Sequence, residues 1–325
     1  MKRFKKIFVI LSAFVIAATA LYGCSEKGGK MEINIGVLNG PTGIGAVSIM
    51  DKADKGEYDK YKFTLSPEVS DIVARLSNGD LQIGALPTNV AANLYNKTNG
   101  GVKIIAINCL SVLYVIENGN DVKTPGDMKG KTVYVNGQGA NPEFMLNYIL
   151  RNAGLEPGED VNIIFADPAE ISAKMVSGEA TLALLPVPAA TAVIMKNPDV
   201  RVALDMGGEY KKASGDGSEL TMGCLVAKKD FADENPDEIA LFLERYRKSI
   251  EFTNENIEDA AELVARYGIT GNEKIAAKAI PEAAVVCITG NAVKKSLEGY
   301  LKVLYEADPK SVGGALPADD FYYEK

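Results

Sequence analysis

The chain repeats itself at a spacing of just under one hundred residues, and few folds accommodate such a repeat. Residues 35–40 (IGVLNG) align with 132–137 (TVYVNG), and 72–87 (IVARLSNGDLQIGALP) with 171–186 (ISAKMVSGEATLALLP). In the second pair an amphipathic helix runs to Gly79 or Gly178 and feeds a buried strand that stops at Pro87 or Pro186. Short β-rich runs continue the pattern: Ile33–Leu38, 62–65, 82–86, 103–108 and 112–117, then 132–135, 162–165, 181–185, 201–204 and 222–228. Strands separated by helix-length segments imply βαβ units and mostly parallel sheets. The expected class is therefore α/β, with two βαβ lobes joined where the chain crosses between them.

The last third changes character. Asn235-Pro236-Asp237-Glu238 combines a cap, a proline at the first helical position and first-turn acids. Ile239, Phe242, Leu243, Tyr246 and Ile250 then share one helical face, and Val293, Leu297, Tyr300, Leu301 and Leu304 share another. Asn256 is expected to cap the helix between them, and these helices are expected to pack on the first lobe and the hinge.

At the other end, Lys2, Arg3, Lys5 and Lys6 precede an apolar run from Ile7 to Ala20. That run is too short to cross a hydrocarbon core of about 30 Å as a helix, and reads as an export signal. It ends in Leu21-Tyr22-Gly23-Cys24, which resembles a bacterial lipobox, although a small residue is usual where Tyr22 stands. The resemblance implies cleavage after residue 23 and diacylglycerol with fatty-acyl (palmitate-type) chains on Cys24. Residues 24–30 then form a tether. Loss of residues 1–23 removes four of the 35 basic residues, leaving 31 against 43 acidic and a net charge of −12. An acidic body is not drawn to anionic lipid or nucleic acid, so lipid on Cys24 is the expected membrane anchor.

Composition narrows the chemistry. Histidine is absent, which excludes Ser-His-Asp triads, Cys-His nucleophiles, His-ligated zinc and an imidazole proton shuttle. Cys109, Cys224 and Cys287 match neither a zinc site nor a CxxC motif. They read as buried free thiols, with a Cys109–Cys224 bridge left open because both fall near the expected crossings. No catalytic residue, metal site or cofactor is expected.

Ligands of open α/β sheets sit beyond the carboxyl ends of the strands. Four loops qualify: 39–45 (Asn39, Gly40, Pro41, Thr42, Gly43), 87–89 (Thr88, Asn89), 136–142 (Gln138, Gly139, Ala140, Asn141) and 186–188 (Val187). Glycines allow close backbone approach, and a following helix presents free amides. The first and third loops occupy equivalent places in the repeat and are expected to face one another, although each alone is equally a tight turn. None of the four carries a charge, no GxGxxG or GxxxxGK[ST] occurs, and the expected ligand is a small polar or anionic molecule rich in acceptor oxygens.

Residues 124–133 (TPGDMKGKTV), 235–268 (NPDEIALFLERYRKSIEFTNENIEDAAELVARYG), 313–317 (GGALP) and 321–323 (FYY) resemble the solute-binding proteins of ABC importers in the nitrate/sulfonate/taurine group, which has relatives binding thiamine-pyrimidine precursors. The resemblance covers about residues 31–325. It implies a type II periplasmic-binding-protein fold, with lobe one at 31–108 plus 226–325 and lobe two at 112–221. It also implies a monomer that closes on a small-molecule ligand at the extracytoplasmic face of the cell membrane and delivers it to a permease with its ATPase. The rival readings are a ligand-sensing lipoprotein and an enzyme on the same fold, the latter without a placed acid–base pair.

Overall fold

The computed structural model describes residues 31–324, so the signal, the lipobox, Cys24 and the whole of the tether lie outside the described residues. Among the described residues eleven strands form two sheets within one compact unit that begins at Ile33. They are β1 (Ile33–Leu38), β2 (Tyr61–Ser66), β3 (Ile83–Pro87), β4 (Val102–Cys109), β5 (Leu113–Asn118), β6 (Thr132–Val135), β7 (Asn162–Phe165), β8 (Leu182–Pro186), β9 (Val200–Asp205), β10 (Gly223–Lys228) and β11 (Val285–Ile288). Between them run α1 (Pro41–Ile44), α2 (Val47–Asp54), α3 (Val69–Asn78), α4 (Thr88–Lys97), α5 (Asn141–Asn152), α6 (Pro168–Ser177), α7 (Ala189–Lys196), α8 (Met206–Ser214) and α9 (Lys229–Glu234). The chain finishes with α10 (Pro236–Glu255), α11 (Ile257–Arg266), α12 (Glu273–Ala279) and α13 (Asn291–Ala307). Among the described residues no helix is long and apolar enough to cross a membrane.

The internal repeat is physical. The first sheet is ordered β2-β1-β3-β10-β4-β11 and the second β7-β6-β8-β5-β9. Helices α3 and α6 end on Gly79 and Gly178, both left-handed at φ 87° and 79°, a region that only glycine occupies without strain. In each sheet the fourth strand comes from the other half of the chain. β5 leaves β4 after three residues and inserts between β8 and β9, while β10 inserts between β3 and β4. Both inserted strands run antiparallel to their neighbours, so the sheets are mixed, not mostly parallel as the spacing of strands and helices suggested. A strand that crosses from one carboxyl edge enters the facing sheet at the corresponding edge and must run the opposite way. The two carboxyl edges therefore adjoin.

Strand β11 is absent from the sequence reading. It is a four-residue edge strand paired antiparallel to β4, too short for a periodic signal. The amphipathic faces of the last third behave as expected at their centres. Phe242 and Tyr246 are buried, and Phe242 meets Tyr61 edge-on at 5.7 Å between ring centroids. Helix α13 reaches further than anticipated. Its Tyr300 stacks on Tyr210 of α8, which stacks on Tyr148 of α5, so the last long helix packs on both halves. Asn235 and Asn256 stand at helix starts, but each donates its amide to the preceding helix, at Phe231 and Phe252 carbonyls, instead of accepting from the new one. Asp205, exposed at the end of β9, accepts from the Gly207 and Gly208 amides and caps α8.

The cysteines of the crossings do not bridge. Cys109 pairs with Gly223 and Cys224 with Ile107, and the two side chains enter opposite faces of the first sheet. Cβ vectors that diverge in this way cannot close a disulfide. All three described cysteines are free, and burial pushes the Cys109 thiol up to about 12 and Cys287 up to about 11. Alkylation in denaturant without reductant is therefore expected to modify Cys109, Cys224 and Cys287. Intact mass checks this, and a species two daltons light and short of two adducts contradicts it. In the segment 124–133, the Asp127 carboxylate accepts from the Lys123 and Thr124 amides and the Thr124 hydroxyl. Those donors hold its carboxyl below the usual value, so it stabilises the turn above about pH 4 and releases it as pH falls through that lowered value. A carbon-detected titration of Asp127 tests the sign.

Candidate functional site

The adjoining edges bring loops from both sheets together. In the first loop Gly40 takes φ 105°, and a single helical turn, α1, follows. Thr42 turns inward, is buried, and donates to the Leu38 carbonyl at 3.3 Å. Asn39 stays exposed at the rim, Gly40 is half-buried, and a Cβ on Gly43 would lie 2.6 Å from the Leu38 carbonyl oxygen. Beside Thr42 lies Asn108, fully buried at the end of β4. A Cβ placed on Gly223 would meet Asn108 Oδ1 at 2.7 Å and Thr42 Cγ2 at 2.9 Å, so this glycine keeps room for both. Asn108 donates its amide to the Tyr246 hydroxyl at 3.3 Å.

The second loop opens α4. Thr88 is fully buried and donates to the Thr221 carbonyl at 2.5 Å, across the β3–β10 pairing. Asn89 points to the other half of the molecule, where Asn141 at the start of α5 donates to its Oδ1 at 3.2 Å. Thus the hydrogen bond that joins the halves at this edge connects the second and third loops, where the repeat suggested the first and third. Tyr300 adds its hydroxyl beside Thr88 and Asn141, and burial raises its pKa, so it stays neutral.

The remaining expected residues fall into two groups. Gln138, Gly139 and Ala140 are exposed, with Gly137 and Gly139 at positive φ. The Gly139 amide is not free for a ligand, because Glu143 in the first turn of α5 accepts from it at 2.6 Å. A carboxylate therefore folds back onto a loop that carries none in its own sequence. Val187 is buried in the core beneath the first sheet, donates its amide to Val112, and precedes a cis proline. It closes the hinge side of the site. Beyond it Thr191 donates to the Glu282 carboxylate at 2.7 Å and Tyr114 to the Glu282 carbonyl at 3.2 Å, a second link between the halves. Burial and the nearby Asp205 and Glu282 carboxylates push the Tyr114 hydroxyl up to about 12.

Sequence reasoning passed over Asn108, Thr221, Tyr300 and Glu282. Asn108 had a usable signal, as the one amide inside the apolar run Ile104–Cys109. Tyr300 and Glu282 had none, since they reach the site from far along the chain, Glu282 lying 91 residues from Thr191 and 168 from Tyr114. Four polar atoms at this edge are buried without a partner: Asn108 Oδ1, Asn136 Oδ1, Asn141 Oδ1 and Thr221 Oγ1. Buried polar atoms are nearly always paired, so such a concentration marks a place where something else supplies the hydrogen bonds. The site contains amides, hydroxyls and neutral phenols, which suit recognition and lack an acid–base pair.

Solved structures share this architecture. An ABC transporter protein from Parabacteroides distasonis matches with a TM-score of 0.75 at 21% identity, over 91% of this chain and 99% of that one. The periplasmic aliphatic sulphonate binding protein SsuA from Escherichia coli matches with a TM-score of 0.67 at 18% identity, over 87% and 90%. The periplasmic nitrate-binding protein NrtA from Synechocystis PCC 6803 matches with a TM-score of 0.51 at 14% identity, over 78% and 69%. These similarities show the fold: two βαβ lobes joined by two crossover strands, as in type II periplasmic binding proteins. No curated protein sequence matches the chain. A family model described as NMT1/THI5 like matches residues 94–260, just over half of the chain and including β5, the second sheet and β10; the chain belongs to that family.

Proposed function

We propose that this protein is the extracytoplasmic solute-binding component of an ABC importer, capturing a small polar molecule between its lobes. The observation that carries the reading is the buried, uncharged polar cluster at the adjoining edges, to which both halves contribute and in which four polar atoms lack a partner. The solved structures of similar fold are binding proteins named for sulphonate and nitrate, which supports the class without choosing the ligand. Lobe one spans 31–108 plus 226–325 and lobe two 112–221, with Asn39, Gly40, Thr42, Gly43, Thr88, Asn89, Gln138, Gly139, Ala140, Asn141 and Val187 facing the ligand or shaping its cleft. The chain hydrolyses nothing; it closes on its ligand as a monomer and hands it to a permease driven by an ATPase. Lipid on Cys24 holds it to the membrane.

Two experiments test this. In cells grown with radiolabelled fatty acid, Cys24→Ala is expected to lose all label and either to be released or to persist as precursor. A normally labelled variant contradicts the anchor. A thermal-shift screen over sulfonates, oxyanions, pyrimidines and small carboxylates should yield a ligand that, at 100 times its dissociation constant, adds about 2.7 kcal/mol of stability. Calorimetry with that ligand should then show an affinity loss of roughly five- to 150-fold for Asn141→Ala and for Thr42→Ala, the cost of about 1–3 kcal/mol for one buried partner. Lys248, paired on the surface with Glu244, serves as the control. Unchanged affinity in both folded variants contradicts the cleft.

A further inference from the structure

The hydrogen-bond directions within the polar cluster say what kind of ligand it takes. The main chain sets two of them. A carbonyl oxygen only accepts, so the Ser311 carbonyl draws the Asn89 side-chain nitrogen towards it, at 3.5 Å. That orientation leaves Asn89 Oδ1 facing α5, and Asn141 must present its own nitrogen there, as it does at 3.2 Å. Asn141 also lies beside the Tyr300 side chain. What remains of Asn141 is its oxygen, on a side chain 7% exposed, buried and without a partner. Rotating the amide to make it a donor would place oxygen against the Asn89 oxygen.

Two other donors nearby are committed in the same way. The Thr88 hydroxyl proton goes to the Thr221 carbonyl, and the Tyr300 hydroxyl is turned to the Met222 sulfur at 3.9 Å. Asn136, at the start of the same loop as Asn141, also holds a buried oxygen without a partner. The Gly139 amide, which might have served an anion, is already held by Glu143. Apart from the Thr221 hydroxyl, which can donate or accept, the surplus at this end of the cleft is acceptor capacity.

We propose that the ligand is neutral and carries N–H or O–H donors, an amide, urea or aminated ring, with one donor directed at Asn141 Oδ1. This inference rests on the solute-binding reading above and narrows it. An acceptor-only oxyanion would bring negative oxygens against the Asn141 and Asn136 oxygens. None of the cluster residues Thr42, Thr88, Asn89, Asn108, Asn141 and Thr221 supplies a positive charge to offset that repulsion, and none supplies a carboxylate for a cation. The selectivity originates in the fold, because the Ser311 carbonyl, four residues after the end of α13, sets the polarity of the chain Ser311–Asn89–Asn141.

Matched pairs of small molecules that differ only in donors and charge test the proposal: methanesulfonamide against methanesulfonate, acetamide against acetate, and urea against nitrate. Dissociation constants from saturation-transfer NMR on the full chain are expected to favour the neutral member of each pair by about ten-fold or more. Asn141→Leu should abolish the preference. Asn89→Ala, which frees the Asn141 amide to rotate, should bring the two members of each pair close together while circular dichroism stays native, and it keeps the test sharp if Asn141→Leu fails to fold. Tighter or equal binding of the anions by the wild type overturns this inference and leaves the solute-binding reading standing. Binding of neither member of any pair, at millimolar concentrations, overturns both.

Discussion

A β-strand placed inside a sheet must have every main-chain amide and carbonyl paired, and two strands here satisfy that demand in the sheet that did not precede them. β5 follows the four parallel strands of the first sheet yet completes the second, and β10 returns the exchange. The second sheet is built from the continuous stretch β5 to β9, whereas the first is complete only when β10 and β11 return to it. Removing β10 would leave the inner edges of β3 and β4 unpaired, and removing β5 would do the same to β8 and β9. Each ladder lies within one half, and the halves are tied by the segments 110–112 and 206–222, the first only three residues long, which leave them room to rotate. This constraint puts the carboxyl edges side by side, and the site follows from it.

At those edges the chain spends polar residues in places where apolar ones would pack more simply. Thr42, Thr88, Asn108, Asn141 and Thr221 are buried, and the hydrogen bonds they make among themselves do not use all of their capacity. A cluster devoted to stability would be closed on itself, because an unpaired buried group costs about 1–3 kcal/mol. Incomplete pairing combined with full burial is the arrangement expected where a ligand completes the network. The Thr191–Glu282 and Asn89–Asn141 bonds lie on either side of it and reward the closed arrangement of the halves.

Much of the fold is legible in the residues because the features concerned are local. Gly79 and Gly178 end equivalent helices for a backbone reason that any sequence displays, and the strands at 33–38, 132–135 and 162–165 fall where apolar runs and turn residues place them. Where the reading went astray, a partner outside the motif had decided the matter. Asn235 and Asn256 look like caps, but the end of the preceding helix offers each amide a carbonyl closer at hand. In the third loop, Glu143 four residues past Gly139 takes the backbone amide that the loop alone leaves free. Cys109 and Cys224 are neighbours along the crossing, yet alternation across the pleat sends them to opposite faces.

By itself the sequence determined the α/β class, the two-fold repeat, the loops at the strand ends and the absence of imidazole chemistry, since each depends only on spacing and composition. Tertiary structure alone decided which sheet each crossing strand joins, and hence that the sheets are mixed. It alone decided which loops meet, and which amide oxygen of Asn141 is left over. Hydrogen-bond polarity passes from the Ser311 carbonyl through Asn89 to Asn141, across 222 and then 52 residues of chain. No local pattern encodes a direction that is transmitted between residues so far apart, because it exists only once folding has brought the three groups into contact.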